Sequence, residues 1–122
     1  MIENILPPVV DEQTKVLIVG SMPGVQSLEK QQYYGNPRNH FWGIIGELTG
    51  AIVPEQYEER LALVKKHGIG LWDVIRECER VGSLDSNIKN EIPNDFVALF
   101  EQHPQIEAIF FNGTKAHDVF KK

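Results

Sequence analysis

The chain has 122 residues, 42% of them hydrophobic and 24% charged, with a formal net charge of −5. That length points to one domain, able to hide roughly two-thirds of the unfolded chain's surface, and the composition excludes disordered and collagen-like classes. No apolar run approaches the ~20 residues of a membrane span. The start, MIENILPPVV, lacks the basic and apolar regions of a signal peptide. The single cysteine, Cys78, can form neither an internal disulfide nor a cysteine-based metal site. A soluble, cytoplasmic protein with no membrane partner is expected. The acidic balance argues against coating nucleic acid by charge alone, yet it leaves room for a DNA enzyme that makes a few phosphate contacts.

In chain order, Lys15–Gly20 (KVLIVG) is a short β-branched apolar run ended by glycine, which predicts a buried strand. Ser21-Met22-Pro23-Gly24 follows as a tight turn, with proline presetting φ and glycine accepting positive φ. The polar stretch Glu29–Arg38 reads as an irregular loop. A helix then starts with Asn36 as cap and Pro37 at its first position, has Phe41, Ile44, Ile45 and Leu48 on one face, and closes at Gly50. Further predicted elements are a helix from about Pro54 to His67, a strand over Gly70–Ile75, and a short helix over Asn94–His103. A strand over Ile106–Phe111 and a helix from Gly113 onward complete the series. Strands alternating with helices imply a mainly parallel sheet with helices on its faces. Ligands of such sheets bind beyond the carboxyl ends of strands, which directs attention to Gly20–Gly24, Asp73 and Asn112–Gly113.

Gly20–Gly24 matches neither the dinucleotide fingerprint nor the phosphate-binding P-loop. Ser21 could serve as a nucleophile with His117 and Asp118 as distant partners, although no G-x-S-x-G elbow is present. The four histidines have no i,i+4 pairing, so a protein zinc site is not expected, and His67 and His103 suit helix ends. Trp42 and Trp72 read as core aromatics, and Arg76, Arg80, Lys89 and Gly82–Asn87 as a polar loop. The richest stretch is Tyr33-Tyr34-Gly35-Asn36-Pro37-Arg38-Asn39-His40-Phe41-Trp42. Its tyrosines offer flat faces for a base and the Asn39 carboxamide a donor and an acceptor at fixed separation. On residue type alone, a capping or turn role for Asn39 competes with a catalytic one.

Taken jointly, V-L-I-V-G-S-M-P-G-x-x-S-L, Y-Y-G-N-P-R-N-H-F-W, G-L-W-D-V-I and R-x-G-S-L-D-S-N-I resemble the uracil-DNA glycosylase superfamily, and most closely its hypoxanthine-DNA (deoxyinosine) branch. The resemblance runs from about Lys15 to Lys122. It implies an α/β fold, a three-layer α/β/α architecture with a mainly parallel sheet, and a monofunctional glycosylase of base excision repair. Such an enzyme needs no cofactor and no metal, and its partner is double- or single-stranded DNA carrying a deaminated base, hypoxanthine or uracil. Related mismatch-specific enzymes place a catalytic asparagine just before the Pro-Gly of the first loop; here that position is Met22, which cannot polarise water. The resemblance therefore assigns catalysis to Asn39, base stacking to Tyr34, and the pocket floor to Ser21, Met22, Pro23 and Gly24. Tyr33, Asp73, Arg38 and Asn112 are further candidates for pocket or DNA contact.

The superfamily's second motif follows a fourth strand, so the resemblance implies a domain over residues 1–122 that lacks its last strand, with an exposed sheet edge open to self-association. The chemistry suits these residues. A purine lactam departs more readily than adenine, and an amide can align water beneath C1′ and stabilise charge by fixed dipoles. No lysine lies in the pocket motifs to form a Schiff base. Two other readings remain open from the residues: a module that binds nucleotides or damaged DNA without catalysis, and a small serine hydrolase using Ser21.

Overall fold

A computed structural model describes residues 2–36 and 39–121. The elements are β1 (Ile2–Glu3), β2 (Val16–Gly20), α1 (Val25–Lys30), α2 (Phe41–Thr49), α3 (Tyr57–Lys66), β3 (Ile69–Asp73) and β4 (Ile75–Glu79). A 3-10 turn at Asp85–Asn87 leads to β5 (Lys89–Pro93), α4 (Phe96–Gln102), β6 (Ala108–Phe111) and α5 (Thr114–Phe120). The strands form two sheets. The first is parallel, in the order β3-β2-β6, and the second is antiparallel, in the order β1-β4-β5.

β2 lies at the centre of the parallel sheet, and its alternation explains why. Leu17 and Val19 are fully buried in one core, with Val74, Ile75 and Cys78 and with Phe96, Leu99, Ala116 and Val119 of α4 and α5. Ile18 points to the opposite face, against Trp42 and Ile45 of α2, Val64 of α3 and Leu71. Helices thus cover both faces, as the α/β reading requires, and each fully buried aliphatic side chain contributes about 1.5–3 kcal/mol. Val9 exchanges backbone hydrogen bonds with Leu71 at 2.8 and 3.0 Å, covering the outer edge of β3. β6 pairs only with β2 among the described residues, and Phe110 on it is 60% exposed.

Several predicted elements need correction. The stretch Gly70–Ile75 is not one strand: Asp73 ends β3, Val74 is a hinge, and Ile75 opens β4 in the other sheet. The apolar run is continuous because both sheets bury it, and apolarity alone gives no sign of the break. The supposed loop at Glu29 is still helical, since α1 continues to Lys30 and closes on Gln31 in the left-handed region. The helix predicted from Asn36 begins instead at Phe41 with His40 as its cap residue; Pro37 and Arg38 lie outside the described residues. Ile44 and Leu48 face outward from α2, at 52% and 74% exposure, while Trp42 takes the inward place. The polar loop placed at 76–89 is mostly structured as well: Arg76 lies on β4, Lys89 opens β5, and Arg80 is buried. Among the described residues, no helix is long and apolar enough to cross a membrane.

Candidate active site

The carboxyl ends of β2 and β3 and the loop after β6 converge on a polar cavity of about 360 Å3. Parallel pairing makes this convergence unavoidable. Gly20 and Asp73 are register partners at the ends of β2 and β3, and the Asn112 N–H donates to the Val19 carbonyl at 2.7 Å. The loop joining β2 to α2 and the segment after β4 close the remaining sides.

The first loop is held on every side. The Gly20 and Ser21 carbonyls accept hydrogen bonds from the Val74 and Ile75 N–H groups at 2.8 and 3.1 Å. The Ser21 hydroxyl donates to Asp85 Oδ1 at 2.7 Å. Arg80 Nη2 donates to the Pro23 carbonyl at 2.7 Å, and the Ser83 hydroxyl accepts from the Val25 N–H at 2.9 Å where α1 begins. Met22 is buried, joining the core below while lining the cavity above. The predicted pocket floor, Ser21 to Gly24, is therefore assembled as one surface. The alternative serine triad is not: Ser21 bonds Asp85, whereas His117 sits 4.0 Å from Asp118 and packs on the Phe111 ring. No histidine lines the cavity among the described residues.

The two tyrosines have different jobs. Tyr33 is 3% exposed; its hydroxyl donates to the Pro7 carbonyl at 2.7 Å and its own carbonyl accepts from the Trp42 indole at 3.3 Å. Tyr33 is a structural post that ties the N-terminal segment to α2. Tyr34 adopts φ +54°, a strained left-handed backbone for a tyrosine, and this turns its half-buried ring onto the cavity wall. Phe41 backs that ring in a stack with centroids 3.7 Å apart and planes 14° apart, and Asn112 Nδ2 donates to its hydroxyl at 3.2 Å. Burial, with Asp73 nearby, pushes both phenols well above their usual range, so both stay neutral.

Asn39 is exposed on the cavity rim. Its side-chain oxygen accepts the Phe41 N–H at 2.9 Å, and its backbone N–H donates to the Asn36 carbonyl at 2.9 Å. The turn role and the site role thus coincide. The turn orients the carboxamide, and its nitrogen has no partner among the described residues. Arg38, its neighbour and a predicted DNA contact, lies outside the described residues.

Asp73 is the buried acid of the site, 4% exposed. Asn4 Nδ2 donates to its Oδ2 at 3.0 Å, and Asn94 Nδ2 donates to its backbone carbonyl at 2.8 Å. Burial pushes its carboxyl up to about 7; the Asn4 hydrogen bond opposes that rise and the negative charge of Asp85 adds to it. The carboxyl fits because its register partner is glycine: a Cβ on Gly20 would lie 2.6 Å from Asp73 Oδ1.

Three residues of the site were not visible as such in the sequence. Asn4 comes from the N-terminal segment, where no motif marks it; its side-chain oxygen also accepts the Leu6 N–H at 3.1 Å. Asp85 lies in a segment read as a solvated turn, and only its place in R-x-G-S-L-D-S-N hinted at more. Arg80 was read as part of a polar loop but is buried, with Nε and Nη1 lacking a hydrogen-bond partner among the described residues.

Comparison with known proteins bears on the family and the fold. The sequence profile of the Uracil DNA glycosylase superfamily matches residues 7–122. A hypoxanthine DNA glycosylase of Methanosarcina acetivorans is 47% identical over 117 residues, covering 95% of this chain and 74% of that protein. One of Methanosarcina barkeri is 43% identical over 111 residues, covering 90% and 70%. The solution NMR structure of a Methanosarcina acetivorans protein, provisionally assigned as a uracil DNA glycosylase, superimposes with a TM-score of 0.84 at 45% identity. That match covers 95% of this chain and 73% of the other.

Proposed function

The chain belongs to the uracil DNA glycosylase superfamily and is a DNA glycosylase, and from that premise we propose that its substrate is a deaminated base, hypoxanthine first, flipped out of duplex DNA. Both curated relatives bear the name hypoxanthine DNA glycosylase. Extruding the base costs a few kcal/mol, less at a mispair. Tyr34, backed by Phe41, offsets part of this by stacking, worth roughly 1–3 kcal/mol per base. The Ser21–Gly24 loop forms the pocket floor. Asn39, at the rim, aligns a water beneath C1′ and stabilises the charge that develops as the glycosidic bond stretches. Tyr33 acts by holding this arrangement in place.

The observation that carries the reading is one polar cavity joining Asn39 and Tyr34, from one stretch of chain, with the Ser21–Gly24 loop from another. No lysine lines that cavity among the described residues, which supports a monofunctional enzyme without a Schiff-base step. The unpaired edge of β6 and the exposed Phe110 support self-association in solution. The test is base release from duplexes containing deoxyinosine or deoxyuridine, read as strand cleavage only after alkali. Binding without cleavage would replace this reading with a non-catalytic module.

A further inference from the structure

Asp73 is placed to do more than support the sheet. Its Oδ2 is engaged by Asn4, but among the described residues Oδ1 has no hydrogen-bond partner and is not one of the buried atoms sealed from solvent. That free oxygen lies on the cavity wall, 2.6 Å from the point where a Gly20 Cβ would be, and the Tyr34 hydroxyl lies 3.4 Å from the same point. A base stacked on Tyr34 would bring its polar edge to Oδ1. The charge that acts on Asp73 is that of Asp85, from the 3-10 turn; the phenols near it, Tyr33, Tyr34 and Tyr57, are neutral groups whose own ionisation the Asp73 carboxylate opposes. No lysine, arginine or histidine lines the cavity among the described residues. An ionised Asp73 would oppose the negative charge arriving on a departing base, whereas a neutral one can neutralise it.

We propose that Asp73 is a catalytic proton donor, protonating the departing purine through Oδ1. The inference rests on the glycosylase reading and extends it to the leaving group. The bond from C1′ to the base breaks with its electron pair moving onto the purine. The Asp73 proton passes to a ring nitrogen or carbonyl oxygen of the base, and water forms the new bond to C1′. The proton that water releases restores the carboxyl through solvent once the products leave, so no oxidant or reductant is needed. Burial of the carboxyl raises its proton affinity toward neutrality, and a general acid is most effective when its pKa lies near the working pH.

The test is single-turnover release of hypoxanthine from a deoxyinosine duplex between pH 5.5 and 9, for wild type, Asp73→Asn, Asn4→Ala and Asp85→Asn. The wild-type rate should fall about tenfold per pH unit above a limb near 7. Asp73→Asn should be at least about tenfold slower at pH 6 and flat with pH. Asn4→Ala removes a hydrogen bond that favours the ionised form and should move the limb to higher pH. Asp85→Asn removes a negative charge yet can still accept from Ser21, and it should move the limb to lower pH. These two variants keep the test alive if Asp73→Asn does not fold. An Asp73→Asn enzyme with the wild-type limb would overturn the proposal, as would a limb that neither neighbour moves. So would a rate that rises with pH through Asp73, which would make it a base. Wild type that releases no base at any pH would overturn the glycosylase reading itself, and this proposal with it.

Discussion

Two hollows meet at the same two asparagines. Asn39 and Asn112 line both the polar cavity at the strand ends and a larger groove of about 840 Å3 between α2 and the β6 side of the parallel sheet. The groove is walled by Val16, Ile18, Ile44, Leu48 and Phe110, the cavity by Asp73, Asp85, Ser21 and two tyrosines. Size would favour the groove as a binding site. Chemistry favours the cavity, because hydrolysis is served by fixed dipoles in a water-poor setting: beyond the shared asparagines the groove adds His40 to a mostly apolar wall, whereas the cavity adds Ser21, Asp73 and Asp85. The contrast teaches that in this molecule buried polarity gathers at the strand ends, while the larger hollow is mostly apolar surface of the kind that suits contacts.

The sharpest test of the contrast falls on Asn39, one of the two residues that belong to both. Asn39→Ala should lower the single-turnover rate of base release at least about tenfold, a loss of ~1.4 kcal/mol of transition-state stabilisation, with little change in DNA affinity. An unchanged rate would remove Asn39 from the reaction and leave it only the turn at Phe41.

A smaller effect is expected at Tyr34. Leucine there should weaken DNA binding and rate together by roughly five- to tenfold, in keeping with the loss of about 1–1.4 kcal/mol of stacking. Phenylalanine keeps the ring face on Phe41 and should stay within about twofold, losing only the hydrogen bond from Asn112. Equal damage from both would show that the hydroxyl matters more than the ring.

Stability offers a reading independent of activity. The folded-state pKa of Asp73 is raised to about 7 from an ordinary value of 3.8, so between those limits the folded chain binds a proton that the unfolded chain does not. This group's contribution therefore makes the fold less stable as pH rises from about 4 to 7. Asp73→Asn should stabilise the protein at pH 8 by on the order of 1–4 kcal/mol, and the gain should vanish near pH 4. Denaturant melts at the two pH values check this; a gain independent of pH would mean that packing, not charge, is the cause.

The smallest effect on catalysis is expected in the groove. Leu48→Lys and Phe110→Lys should leave the rate of base release within about twofold, while shifting any self-associated species toward monomer in sedimentation. A large loss of rate would show that the groove shapes the reacting centre after all.

Much of this was legible in the linear chain. β2 could be read from V-L-I-V-G, and α4, β6 and α5 from their period and from Pro104 and Gly113, because local patterning there agrees with the packing. The cavity's position followed from the rule that parallel sheets bind at their carboxyl ends, and Asn39 and Tyr34 from a motif. What escaped reading was long-range. The break at Val74 is invisible because both sheets need apolar residues there. Asn4 reaches Asp73 across 69 positions and Ser21 reaches Asp85 across 64, and no local signal encodes either contact.

The sequence by itself determined the class of fold, the order of its elements and the residue types at the site, since hydrophobic period, turn chemistry and motif spacing are properties of neighbours along the chain. Only the tertiary structure decided what those residues can do. It buried Asp73 in a cavity lined by no lysine, arginine or histidine among the described residues, and burial raises its carboxyl to about 7. It left Tyr34 half-buried on the cavity wall with a left-handed backbone angle, while Tyr33, on the same wall, is buried with its hydroxyl bonded to Pro7. It drew Arg80 inward to pin the first loop. Burial and dielectric depend on what folds over a group from far along the chain, and that is a property no neighbouring residue carries.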